Sequence, residues 1–227
     1  QPGSLWGGHD EFISAPHLDD LQCSYANLHG FLKAESGKAI PVMAIFDNEE
    51  VGSLTKQGAD STFLENTLSR IVESLGLTDE QYHALLASSF MISADNAHAA
   101  HPNHIEKADP VNRPYMNQGP VIKYNADQHY TTDAVSAAVF KALCKEVKVP
   151  YQEFTNRSDM RGGATLGNIS NAHVSIPTVD IGLAQLAMHS CYETAGMKDT
   201  DYLIRVLAHF FASTFQITGD TFILKAK

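Results

Sequence analysis

The sequence predicts an α/β fold, a three-layer αβα domain built on a mostly parallel central sheet. Short apolar runs alternate with amphipathic helical stretches, several runs are continuously apolar as in strands buried on both faces, and several end in carboxylates. Residues 11–16 (Glu11-Phe12-Ile13-Ser14-Ala15-Pro16) read as a short strand closed by proline, and residues 19–35 as a helix with Leu21, Tyr25, Leu28 and Leu32 at helical spacing. Residues 40–46 form an apolar run ending in Asp47-Asn48-Glu49-Glu50, the pattern of a buried parallel strand. Helices follow over residues 61–75, with Phe63, Leu64, Leu68, Ile71 and Val72 on one side, and over residues 79–88. Residues 89–95 repeat the apolar strand with a terminal carboxylate, Asp95. Residues 120–124 read as a strand, 133–147 as an amphipathic helix and 151–155 as a strand leading into Arg161-Gly162-Gly163-Ala164-Thr165-Leu166-Gly167. Residues 174–182 make a further strand and residues 200–214 a closing helix. In such a sheet ligands bind at the carboxyl ends of the strands.

Composition bounds the function. The 227 residues suit one large domain, and 44% hydrophobic with 19% charged residues excludes disorder, collagen and coiled coil. Lys+Arg 16 against Asp+Glu 26 gives a net charge of −10, which weighs against nucleic acid and anionic membrane as partners. Cys23, Cys144 and Cys191 have no paired spacing, so neither a disulfide framework nor a thiolate zinc site is expected, and a reducing, cytoplasmic setting fits. No run approaches the ~18 apolar residues of a membrane span, and the N-terminus lacks the layout of a signal peptide. The chain starts without Met and enters a strand almost at once, as a fragment would.

The chemistry lies in carboxylates at strand ends: Asp19 after the first strand, Glu49 and Glu50 after the second, Asp95 after the third. Singly each is a plausible cap or solvated turn. Together at one sheet edge they repel one another, and a bound cation relieves that repulsion. His189, soon after the last apolar strand, adds an imidazole, and carboxylates with histidine suit Zn²⁺, Mn²⁺ or Co²⁺ rather than a Ca²⁺ cage. Adjacent Glu49 and Glu50 cannot share a face in regular strand, and a turn at the strand's end changes how the two side chains are disposed.

Five ordered motifs resemble the aspartyl aminopeptidase family (M18) of dinuclear zinc exopeptidases. They are Asp10-Glu11-Phe12-Ile13 with Ala15-Pro16-His17-Leu18-Asp19, then Asp47-Asn48-Glu49-Glu50-Val51-Gly52-Ser53, Ser93-Ala94-Asp95-Asn96-Ala97-His98-Ala99-Ala100-His101-Pro102-Asn103, Gly119-Pro120-Val121-Ile122-Lys123, and Gln185-Leu186-Ala187-Met188-His189-Ser190. The resemblance implies a three-layer zinc-exopeptidase-like domain with two divalent metal ions, most simply zinc. By it Asp19 bridges the metals, Glu50 and His189 complete one site, Asp95 serves the other, and Glu49 is the general base. It also points to Lys123 as the cation that receives an acidic substrate side chain, the bland reading being a solvated lysine.

His98 and His101, three apart, would share a helix face beside Asp95 and touch substrate or orient ligands, a structural role being equally open. A further metal-binding histidine comes, in the family, from a His-x-Asp motif ahead of an inserted interface domain. Both would precede Gln1, so residues 1–227 are expected to be the C-terminal part of a catalytic domain, with His17 weighed as a stand-in ligand. The implied enzyme removes N-terminal Asp or Glu from peptides, as a homo-oligomer or together with a separate N-terminal portion. A metal-dependent deacylase or carboxypeptidase, and an inactive metal-binding assembly subunit, are the rival readings.

The glycine-rich stretch 161–167 lacks the Gly-Lys-Ser/Thr ending of a phosphate loop and reads as a tight turn whose amides line the substrate pocket. Phe210, Phe211, Phe215 and Phe222 are expected in the core or an interface.

Overall fold

A computed structural model describes residues 1–35, 37–160, 162–218 and 221–225. Arg161, first residue of the glycine-rich stretch, lies outside the described residues. The central sheet has the order β3-β7-β5-β6, formed by β3 (Met91–Ala94), β5 (Val121–Tyr124), β6 (Gln152–Thr155) and β7 (Thr178–Gly182). β3 with β7 and β5 with β6 are parallel, while β5 with β7 is antiparallel. A second sheet has the order β1-β2-β9-β8-β4, from β1 (Ser4–Trp6), β2 (Phe12–Ala15), β4 (Ala97–His98), β8 (Ala184–Leu186) and β9 (Glu193–Gly196), antiparallel except for β4 with β8. β3 continues into β4 as its neighbour β7 continues into β8, and the bonds Asp95 N–H to Ile181 O (3.1 Å) and Ala97 N–H to Leu183 O (2.8 Å) carry the ladder across the junction. Asp95 and Asn96 sit at that junction.

The α/β class holds, with helices on both faces of the central sheet. Ile122, Val179 and Ile181 meet Phe140 and Leu143 of α4 (Ala134–Glu146) and Leu203 and Leu207 of α6 (Met197–Ala212) in the main core. On the other face, Asp180 Oδ1 accepts from Thr165 Oγ1 (2.9 Å) and Thr178 Oγ1 from Asn171 Nδ2 (3.0 Å), both donors belonging to α5 (Leu166–Asn171) or its N-cap. The alternation of side chains along β7 produces this division. Capping boxes open α3 (Asp79–Ala87) at Thr78 and Gln81, and α4 at Asp133 and Ser136.

Three expectations need correction. First, α1 (Leu18–Lys33) buries Cys23, Ala26 and Gly30, whereas Leu21, Tyr25, Leu28 and Leu32 are exposed. The small face wins because α6 approaches closely: a Cβ on Gly30 would lie 2.6 Å from Leu207 Cβ. Second, residues 40–46 form no strand, and Ile40, Val42 and Ile45 are exposed. A strand needs a ladder partner, and a groove of about 530 Å³ lies between this run and β3, the outer strand of its sheet. The apolar side of α2 (Phe63–Ser74), through Leu64, Leu68, Ile71 and Val72, lines the same groove. Asp20, Tyr82, Ser93 and Ser170 also line it, and Asp20 Oδ1, Tyr82 Oη, Ser93 Oγ and Ser170 Oγ are buried without a hydrogen-bond partner among the described residues. Third, His98 lies in β4 and His101 in the turn beyond, so they share no helix face.

The closing helix ends at Ala212, and an antiparallel hairpin follows, β10 (Thr214–Thr218) with β11 (Thr221–Lys225). Phe215 and Phe222 join Phe90 and Phe210 in an aromatic cluster with ring centroids 5.3 to 6.3 Å apart, and Phe211 is buried in the core.

Candidate metal centre and active site

The chain leaves β2 at Ala15, turns through His17 in a left-handed conformation (φ 58), and presents Asp19 and Asp20 at the kinked first turn of α1. Carboxylates are favoured there by the helix dipole. Glu49 and Glu50 occupy a single 3-10 turn, Glu49–Val51, entered at Asn48 (φ 60) and left at Gly52 (φ 99). Those left-handed residues bend the chain sharply after residues 40–46. His189 sits on the tight turn between β8 and β9, where Ser190 N–H bonds Ala187 O at 2.9 Å, and is itself left-handed (φ 66).

These distant segments meet. His189 Nε2 lies 3.2 Å from Asp19 Oδ2 and 3.2 Å from Glu50 Oε2. Two sets of ligand atoms, each within 4.8 Å of one another, share Asp19: Asp19, Glu50 and His189 form one, and Asp19, Asp20 and Asp95 the other. The first mixes two carboxylates with an imidazole, three donors of the kinds zinc takes. The second is all carboxylate. Asp20 is not among the residues that sequence reasoning singles out, although the Asp19-Asp20 doublet is visible there. His17 is exposed and belongs to neither set.

Electrostatics favour a cation. Burial pushes the Asp19 carboxyl up to about 8, with Asp95 and Glu50 adding to the effect. Burial likewise holds Asp20 well above the ordinary carboxylate range, reinforced by Asp95 and Asp19. Glu49 is half-buried and raised by burial, Asp95 and Glu50 in turn. Crowded buried anions resist ionisation, and a divalent ion removes the penalty. The partnerless Asp20 Oδ1 agrees, being a buried acceptor with capacity to spare.

Lys123, on β5, is almost fully buried; its Nζ donates to Asp95 Oδ2 (3.2 Å) and Asn96 O (2.7 Å) and lies 5.5 Å from the Tyr130 ring centre. It is therefore no solvated lysine. Burial disfavours its charge, but Asp95, Tyr130 and Asp180 more than offset that and raise the ammonium above its usual value. Asn96 fixes the junction beside Asp95, donating from Nδ2 to Gln22 Oε1 (3.0 Å) and Gln185 Oε1 (2.7 Å) and accepting from Cys23 Sγ (2.9 Å). His98 is exposed, yet surrounding protein, Lys123 and His189 hold its imidazole below the usual value. His101 packs against His104, ring centroids 5.3 Å apart.

Over residues 1–211 the chain matches the family described as aminopeptidase I zinc metalloprotease (M18). It is 52% identical over 211 residues to a probable M18 family aminopeptidase 2 of Clostridium novyi (strain NT), an alignment covering 93% of this chain and 49% of that one. Among solved structures it resembles the cryo-EM structure of the Ape4 and Nbr1 complex, with TM-score 0.88 and 36% identity over 93% of this chain and 41% of that one. It also resembles the mApe1 dodecamer of S. cerevisiae, with TM-score 0.80 and 30% identity over 93% of this chain and 48% of that one. The chain spans about half the length of the curated relatives it matches. The fold is that of an α/β metallopeptidase domain. The chain belongs to the M18 aminopeptidase family, whose cofactor is zinc.

Proposed function

We propose that residues 1–227 are the C-terminal part of the catalytic domain of a dinuclear zinc aminopeptidase that removes N-terminal residues, preferably Asp or Glu, from peptides. The observation that carries this reading is Asp19 standing in both sets of ligand atoms. Asp19, Glu50 and His189 would hold one ion, and Asp19 and Asp95 the other, with Asp20 within reach. Zinc, when bound, supplies Lewis acidity and lowers the pKa of water towards ~7.

The protein groups divide the remaining work. Glu49 stands outside both ligand sets, half-buried and with raised basicity, and serves as the general base that takes the proton of the attacking water and returns it to the leaving amine. The free α-amine of the peptide, a cation, is drawn to the carboxylates around Asp19. Lys123 would be the cation for an acidic side chain: its Nζ now donates to Asp95 Oδ2, and the ammonium would turn to a substrate anion where Asp95 served instead as a metal ligand. His98, its imidazole held below the usual value by surrounding protein, would line the approach.

The protein acts in the cytoplasm as a homo-oligomer or beside a separate N-terminal portion. Among the described residues no helix is long and apolar enough to cross a membrane. The experiment is hydrolysis of Asp-Ala-Ala-Phe and its N-acetyl form by the chain with zinc, alone and with the remaining half of the Clostridium novyi relative supplied separately. Zinc-dependent release of free Asp from the unblocked peptide is expected in the combined sample. Cleavage of the acetylated peptide instead would indicate a deacylase, and no cleavage in either sample would favour a non-catalytic assembly role.

A further inference from the structure

Glu193 is 2% exposed, and no cation pairs with its carboxylate among the described residues. Both of its oxygens are nonetheless used. Oε2 accepts the backbone N–H of Asp19 at 2.9 Å, and Oε1 accepts the backbone N–H of His189 at 2.7 Å. One buried side chain thus holds the main chain of two candidate ligands that lie 170 residues apart in sequence.

The fold explains how. Glu193 opens β9 and stands opposite Ala15 at the end of β2, so the antiparallel register carries it to the point where the chain turns from β2 into α1. Four residues before it, His189 occupies a left-handed conformation (φ 66) that a residue with a Cβ enters only under constraint. A carboxylate accepting two N–H groups supplies that constraint with charge-assisted bonds.

We infer that Glu193 is a positioning residue of the metal centre: it fixes Asp19 against His189 by clamping their backbones, and so sets the geometry and affinity of the site they share. It touches neither substrate nor metal. This inference rests on the metal-centre reading, and the test separates the two.

Co²⁺ is the probe, titrated into the chain and followed by its visible ligand-field absorption, for the unaltered protein, Glu193→Gln and His189→Ala. An amide retains one acceptor oxygen in place of two, so Glu193→Gln should weaken Co²⁺ binding about 10- to 100-fold and displace the absorption band, while its far-UV circular dichroism stays unchanged. A purely structural role would lower the melting temperature and leave affinity and band where they were, and that result overturns the inference. If His189→Ala binds Co²⁺ as tightly as the unaltered chain, the metal-centre reading itself fails, whatever Glu193→Gln does. If Glu193→Gln does not fold, amide hydrogen exchange in the unaltered chain decides: the Asp19 and His189 amides should be protected although they lie in a kink and a turn, and exchange at open-loop rates contradicts the clamp.

Discussion

Lys123 Nζ lies 3.2 Å from Asp95 Oδ2, a buried ammonium paired with a carboxylate assigned to metal binding. Under the proposed function a cation at Asp95 would compete with the lysine for that carboxylate, which would tie the pair to substrate choice. In the complete enzyme, Lys123→Met should lower kcat/KM for peptides with N-terminal Asp at least ~10-fold more than for those with N-terminal Leu, because an acidic side chain then loses a desolvated charge partner. Parallel losses on both peptides would show that Lys123 only holds Asp95 in place.

Glu49→Gln should retain zinc and lose about 10²- to 10⁴-fold in kcat, since the amide cannot accept the proton. Metal content by elemental analysis and steady-state turnover check both halves. Near-normal kcat with full metal would assign the base to another group.

How far the sequence carries is clearest at Asp19, Glu50, Asp95 and His189. Asp19, Asp95 and His189 each follow a strand of the fold, a position that local order reveals, whereas Glu50 follows a run that forms no strand and reaches His189 from a 3-10 turn. Local order does not single out Asp20 or Glu193. Asp20 resembles an ordinary helix-start acid, and Glu193 matters through a register between β2 and β9 that joins residues far apart in the chain. The elements divide likewise: β2, β5, α4 and β7 are legible because their apolar runs have partners here. Residues 40–46 carry an equally apolar run without one, since an apolar stretch records a tendency to be buried and not the neighbour that does it. Helical spacing also reveals faces without ranking them, and α1 buries its small face because α6 comes close.

Gly30 tests that packing. Alanine raises helix propensity by about 1 kcal/mol, but its Cβ meets Leu207 Cβ at 2.6 Å. Overpacking costs about 1–3 kcal/mol, so Gly30→Ala should be net destabilised in urea unfolding. A stabilised variant would show that α1 and α6 can separate without loss.

Asp199 gives a pH signature away from the metal centre. It is fully buried, and burial pushes its carboxyl from 3.8 up to about 6 against the opposing N–H bonds from Gly119 and Asn117. Between those values the folded chain keeps a proton that the unfolded chain has released. The group therefore favours the folded state at acid pH, and about 3 kcal/mol, at roughly 1.36 kcal/mol per pH unit, is lost as pH rises through about 6. Urea midpoints from about pH 4 to about pH 7 should fall less steeply for Asp199→Asn than for the unaltered chain. Equal slopes would contradict the burial effect.

The central claim is that Asp19, Glu50 and His189 form a zinc site with Asp95 beside it. Anomalous diffraction at the zinc edge from crystals grown with Zn²⁺ tests it directly. A peak is expected about 2.0–2.2 Å from His189 Nε2 and from carboxylate oxygens of Asp19 and Glu50. Zinc bound elsewhere, with these three side chains left without it, would contradict the account.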